Sequence, residues 1–207
     1  MSTNKIILSK RIKERFRGFL PVVIDVETAG VDPRKNALLE IGLAFIAMDD
    51  QGLLYRKESF FEHVIPFPGA LLDQKSLDFI QVDPFQPLRF AIEEKEALDR
   101  LFKNIRAELK KTQCQRAVLV GHNAWFDLLF LNEAIHRTGA TSPFHSFTCF
   151  DTATLAGLIY GQTVLAKAVH AAGLHFNANE AHSALYDAEI TADLFCIMAN
   201  QWRNVIR

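Results

Sequence analysis

Apolar positions come in short runs at first and in helical stripes later. Pro21 to Glu27 (PVVIDVE) is a β-branched run that stops at Thr28-Ala29-Gly30, which predicts a core strand closed by a turn. Leu39 to Met48 predicts a second strand, ended by Asp49-Asp50-Gln51-Gly52. The aromatic and polar alternation from Leu54 to Pro66 predicts a third, paired with the second as a hairpin. Past Pro68-Gly69 a short helix is expected over about 70–80, then a surface loop at Asp83-Pro84-Phe85-Gln86-Pro87. Ala97, Leu98, Leu101, Phe102, Ile105 and Leu109 recur at helical period within 93–111. A short buried strand at 117–121, a helix at 124–137, a fifth strand at 147–150 and helices at 152–160, 164–172 and 183–202 complete the reading.

Strands first and alternating helices and strands later predict an α/β fold. Its mixed five-stranded sheet would have three antiparallel strands followed by parallel ones, flanked by helices. With 207 residues and 49% apolar content, the chain fits one domain spanning 1–207, and it contains no internal repeat or linker. No run approaches the roughly 18 apolar residues that a membrane span needs. The start lacks the pattern of a secretory signal, so the expected location is cytoplasmic. Cys114, Cys149 and Cys196 are odd in number and widely spaced, which argues against a disulfide framework and against a zinc site.

Net charge is only −1, yet Lys5, Lys10, Arg11, Lys13, Arg15 and Arg17 crowd a short segment against one acid, Glu14. Leu8, Ile12 and Phe16 recur there at helical spacing, so an amphipathic basic helix is expected over about 5–18.

The acids carry the chemistry. Asp25 and Glu27 lie two apart in an apolar strand, so they project from one face. An unpaired charge is almost never left in such a strand without a cation or partner to offset its desolvation. Asp127 falls in the first turn of a predicted helix after Gly121-His122-Asn123. Asp187 falls about one turn into another, five residues after His182. Either acid alone would also suit the helix dipole. Together the four carboxylates offer the oxygen ligands that hard divalent cations require, and two ions roughly 3.5–4 Å apart would suit phosphoryl displacement. His182, at a helix N-terminus that disfavours the imidazolium, is the candidate general base.

Three ordered segments, Val23 to Thr28, His122 to Asp127 and His182 to Asp187, resemble the motifs of the DEDDh exonucleases. That resemblance implies an RNase H-like fold and two Mg²⁺ or Mn²⁺ ions held by Asp25, Glu27, Asp127 and Asp187. Within the group the chain is most similar to the ribonuclease T family, over nearly its full length. The matching stretches are Arg15-Phe16-Arg17-Gly18-Phe19, Val23 through Gly30, Pro143-Phe144-His145, Phe150-Asp151-Thr152-Ala153 and Gly161-Gln162-Thr163-Val164-Leu165. The family resemblance implies a homodimer that trims the single-stranded 3′ ends of tRNA and other stable RNAs and also digests single-stranded DNA. It further implies base stacking on Phe79, Phe126 and Phe147, and a basic patch at Arg15, Arg17, Lys110 and Arg116 that feeds RNA to the partner's site. Two positions depart from the pattern: Val31 stands where the family has a wedge phenylalanine, and Lys75 where it has a base-reading glutamate. The family's reluctance to pass 3′ cytosines depends on the pocket at these positions, so the sequence leaves open whether this chain shares it. The alternatives are another exonuclease of the group, a proofreading subunit or an oligoribonuclease, and a non-catalytic nucleic-acid-binding module, which would be expected to have lost a ligand.

Overall fold

A computed structural model describes residues 11–205. Its sheet has the order β3-β2-β1-β4-β5, with β1 at Phe19–Thr28, β2 at Leu38–Met48, β3 at Leu54–His63, β4 at Arg116–Gly121 and β5 at Phe144–Asp151. The first three strands are antiparallel, and β4 and β5 continue the sheet in parallel with β1. Among the described residues six α-helices flank it: α1 at Gln74–Ile80, α2 at Glu94–Thr112, α3 at Trp125–Thr138, α4 at Thr152–Tyr160, α5 at Leu165–Ala171 and α6 at Ala184–Val205. The predicted mixed sheet and its helical flanks are both present. No helix among the described residues is long and apolar enough to cross a membrane.

β1 is covered on both faces, which is why it reads as a nearly unbroken apolar run. Leu20, Val22, Ile24 and Val26 pack in a cluster with Leu98, Leu101, Phe102 and Ile105 of α2 and Phe130 and Leu131 of α3. Val23, on the opposite face, packs with Val120 and with Ala188, Ala192 and Phe195 of α6. Asp25 and Glu27 share the alternation of Val23, so they end the face that α6 covers.

The expected basic helix is not formed in the part that falls within the described residues. Residues 12–14 and 16–18 make two separate 3-10 turns, and Phe16, Arg17 and Gly18 all have positive φ (50°, 60° and 79°). Three successive left-handed residues break the i to i−4 ladder, so the periodic spacing of Ile12 and Phe16 has another origin. Ile12 is buried, and Phe16 packs at a tilt against Phe150 and Phe195. Lys5, Leu8 and Lys10 lie outside the described residues. The fifth strand is also longer than predicted, because Phe144 pairs with Ala117 seven residues before Asp151 pairs with Gly121.

One contact places α6. Gly42 of β2 is the register partner of Asp25, and a Cβ added at Gly42 would lie 1.9 Å from the carbonyl oxygen of Ala184, the first residue of α6. The helix start therefore rests directly on the strand backbone, one strand away from the β1 acids. Gly42→Ala is expected to destabilise the fold by about 3 kcal/mol through this overlap; a urea midpoint within error of the parent would show that α6 can lift at no cost.

Candidate metal centre

The carboxylates meet because β1 outruns β4. The β1–β4 pairing ends at Val23 and Val120, which leaves the Val26 N–H beyond the end of its neighbour. A buried N–H requires an acceptor. Asp127 supplies it from the first turn of α3, with Oδ1 accepting from Val26 N at 3.0 Å. Gly121 makes room for this, since a Cβ there would come within 2.9 Å of Asp127 Oδ2. From the other side of the sheet, Asp187 in the first turn of α6 accepts from His182 N through Oδ2 at 3.0 Å. Its Oδ1 is buried and has no hydrogen-bond partner.

Asp25, Glu27, Asp127, Asp187 and His182 all line one cavity of about 530 Å³, together with Phe79, His122, Asn123, Trp125 and Phe126. Ligand atoms of Glu27, His182 and Asp187 lie within 4.8 Å of one another. His182 is exposed and has φ of 66°. Its ring leans on Phe79 with centroids 4.4 Å apart.

All four acids disfavour their charged forms. Burial, then Asp127 and Glu27, hold the Asp25 carboxyl well above its ordinary range. Burial first and Asp187 second push Glu27 up to about 8. Asp127 is pushed to about 8 by burial, against the opposing hydrogen bond from Val26. Asp187 is also raised by burial, partly offset by the His182 N–H. Two carboxylates about 5 Å apart repel by about 3 kcal/mol at an effective dielectric near 20. A divalent cation would reverse that sign. The all-oxygen donor set, the unpartnered Oδ1 of Asp187 and the raised pKa values fit such an ion, with all four acids as candidate ligands.

The other expected residues divide. Phe79, 66% exposed, and Phe126 flank the cavity and also line an adjoining groove of about 460 Å³ with Val31 and Lys75. Phe147, 78% exposed, instead meets His145 on β5 and is not among the cavity lining. Arg17 is exposed above the Phe19 ring, and Lys110 and Arg116 are exposed at the end of α2 and the start of β4. Arg15 is half-buried over Phe16, with one guanidinium nitrogen that lacks a partner. These basic residues surround the N-terminal end of β1, whereas the acids stand at its other end. The six-residue step from Phe19 to Asp25 alone spans roughly 20 Å.

Sequence reasoning did not assign roles to Trp125, His122 or Glu40. Glu40 faces Glu27 across the β1–β2 ladder and is buried beside His63 at 3.1 Å and Arg89 at 3.6 Å. The signal was available, since Glu40 interrupts an apolar run as Asp25 does.

The raised acids set a sign for pH. Their native pKa values exceed unfolded ones, so without metal they stabilise the fold below about pH 4 and that contribution is lost as pH rises through about 8. Metal binding needs the deprotonated forms, so its stabilisation grows over the same window. Thermal unfolding should show Tm falling from pH 6 to 8.5 without divalent ions, and the Mg²⁺-induced rise in Tm growing by several degrees. A Mg²⁺ effect independent of pH would contradict the assignment.

The comparisons with known proteins bear on the same residues. The exonuclease family model, RNase_T, matches residues 22–195, which takes in the four cavity acids and His182. A ribonuclease T from Marinobacter nauticus (strain ATCC 700491 / DSM 11845 / VT8) is 53% identical over 94% of this chain and 88% of its own. One from Wigglesworthia glossinidia brevipalpis is 50% identical over 94% of this chain and 91% of its own. Among solved structures, a full-length 3′-exonuclease superposes with a TM-score of 0.71 at 15% identity. The superposition covers 89% of this chain, which spans 62% of that structure's length, and it supports the fold. With a matching family model over most of its length and relatives at half identity, the chain belongs to the ribonuclease T family of exonucleases.

Proposed function

We propose that this exonuclease acts as a single domain that trims single-stranded 3′ ends of tRNA and other stable RNAs, and of single-stranded DNA, releasing nucleoside 5′-monophosphates. It works in the cytoplasm as a homodimer with two Mg²⁺ ions per site, Mn²⁺ being an alternative. The observation that carries the reading is the convergence of Asp25, Glu27, Asp127, Asp187 and His182 on one cavity, with a buried carboxylate oxygen of Asp187 left without a partner.

Asp25, Glu27, Asp127 and Asp187 would hold the ions, which when bound supply Lewis acidity to the scissile phosphate and the attacking water. His182 stands beside Glu27 and Asp187 and takes the proton released as water attacks. Its backbone N–H is tied to Asp187, so one carboxylate both binds metal and fixes the base. Phe79 and Phe126 flank the cavity and offer ring faces to the terminal bases, a mode of binding that tolerates any sequence. Phe147 would meet a nucleotide only outside this cavity. Arg15, Arg17, Lys110 and Arg116 lie at the far end of β1, away from the cavity of their own subunit. That separation favours their use by the partner subunit's site, where a local positive field attracts the polyanion despite a net charge of −1.

On a 3′-labelled single-stranded RNA with Mg²⁺, Asp25→Asn and Asp187→Asn are each expected to lower kcat at least about 1,000-fold with the fold retained, and His182→Ala about 100-fold or more with metal binding retained. Undiminished turnover in any of these would remove that residue from its role. Mixing an Arg15→Ala/Arg17→Ala chain with an Asp25→Asn chain should restore activity in heterodimers; verified heterodimers that stay inactive would contradict feeding between subunits.

A further inference from the structure

We infer that Asp151, which lies outside the carboxylate set, is a positioning residue that fixes the seat of Asp127 by capping α4 and tying to it the turn that enters α3. α3 begins after Ala124, whose side chain cannot cap it. The turn before it is held from β5. Asp151 Oδ1 accepts from Asn123 N at 2.8 Å and Ala124 N at 3.2 Å. The same oxygen also takes Ala153 N at 3.3 Å, while Oδ2 takes Thr154 N at 3.1 Å and the Thr154 hydroxyl at the start of α4. Five donors converge on this carboxylate, and they hold its pKa below the ordinary range although burial opposes them.

The consequence for Asp127 follows from the backbone. Asp151 is the register partner of Gly121, the residue whose missing side chain leaves room for Asp127. Between them the chain must turn through Asn123, whose φ is 65°, a left-handed conformation that Asn adopts more readily than most residues with a side chain and that hydrogen bonds from outside the turn support. Asp151 supplies that support by binding the N–H of Asn123 and the next one. His122 braces the same turn, with Nδ1 2.9 Å from Thr152 Oγ1 and Nε2 2.8 Å from the Thr163 carbonyl. Asp127 stands three residues after Ala124, within the turn so anchored. Asp151 is thus to Asp127 what a hydrogen-bonding partner is to a ligand in many metal sites, except that it acts through the loop backbone.

The inference rests on Asp127 serving as a metal ligand, and the test separates the two claims. Asp151→Ser keeps a helix cap for α4 but cannot span to Asn123 and Ala124. It is expected to lower kcat about 30-fold and to raise the Mn²⁺ concentration for half-maximal thermal stabilisation about tenfold, with KM for a single-stranded RNA unchanged. Asp151→Asn, which keeps an acceptor oxygen for the Asn123 and Ala124 amides, should shift both quantities less than Asp151→Ser does. Hydrogen exchange at the Asn123 and Ala124 amides should quicken in Asp151→Ser. Thr154→Val, which loosens α4 alone, should leave kcat and the Mn²⁺ requirement at parent values. If Asp151→Ser shifts Tm yet keeps the parent's kcat and Mn²⁺ requirement, Asp151 is a structural cap and the inference is overturned. If Mn²⁺ fails to stabilise the parent protein itself, the metal-centre reading falls and takes the inference with it.

Discussion

The organisation of this enzyme depends on four acids brought together where burial disfavours their charged forms. Asp25, Glu27, Asp127 and Asp187 are held together by parts of the fold that have no freedom to separate them. Asp25 and Glu27 belong to a strand packed on both faces. Asp127 is tied to the Val26 N–H, and Asp187 is carried by a helix resting on Gly42. Burial raises the pKa of every member. The fold thus disfavours ionisation of these acids until a divalent cation offsets it, which would couple metal binding to the same packing that builds the core.

This arrangement explains why the site draws on both layers of helices. A sheet end presents unpaired backbone groups, and here one of them selects Asp127 while the helix on the opposite face delivers Asp187. His182 comes with Asp187 because its own N–H caps that carboxylate. The basic residues sit at the other end of the same strand, so under the proposed function catalysis and strand capture are separated along β1.

Asp25 and Glu27 were legible in the sequence because a charge inside an apolar strand needs a reason to be there, and the two-residue spacing fixed their common face. Asp127 and Asp187 were legible only in combination, since a first-turn acid also suits a helix dipole. What stayed hidden depends on long-range geometry. The left-handed Phe16 and Arg17 break a helix that their spacing imitates. Phe147 is aromatic and exposed, but its strand carries it outside the cavity lining. Asp151 resembles an ordinary N-cap of α4, and only the pairing of β4 with β5 reveals the turn into α3 that it also holds. Glu40 could have been read as Asp25 was; its partners His63 and Arg89 come from other segments and show only after folding.

The most direct measurement of the central claim is titration calorimetry of Mg²⁺ or Mn²⁺ into the metal-free protein at pH 7 in buffers of different ionisation enthalpy. If the buried acids are the ligands, binding of about two ions per chain should release protons, and Asp25→Asn should reduce both the stoichiometry and the proton release. Tight binding with no proton release, or none lost in that variant, would contradict a centre built from these carboxylates.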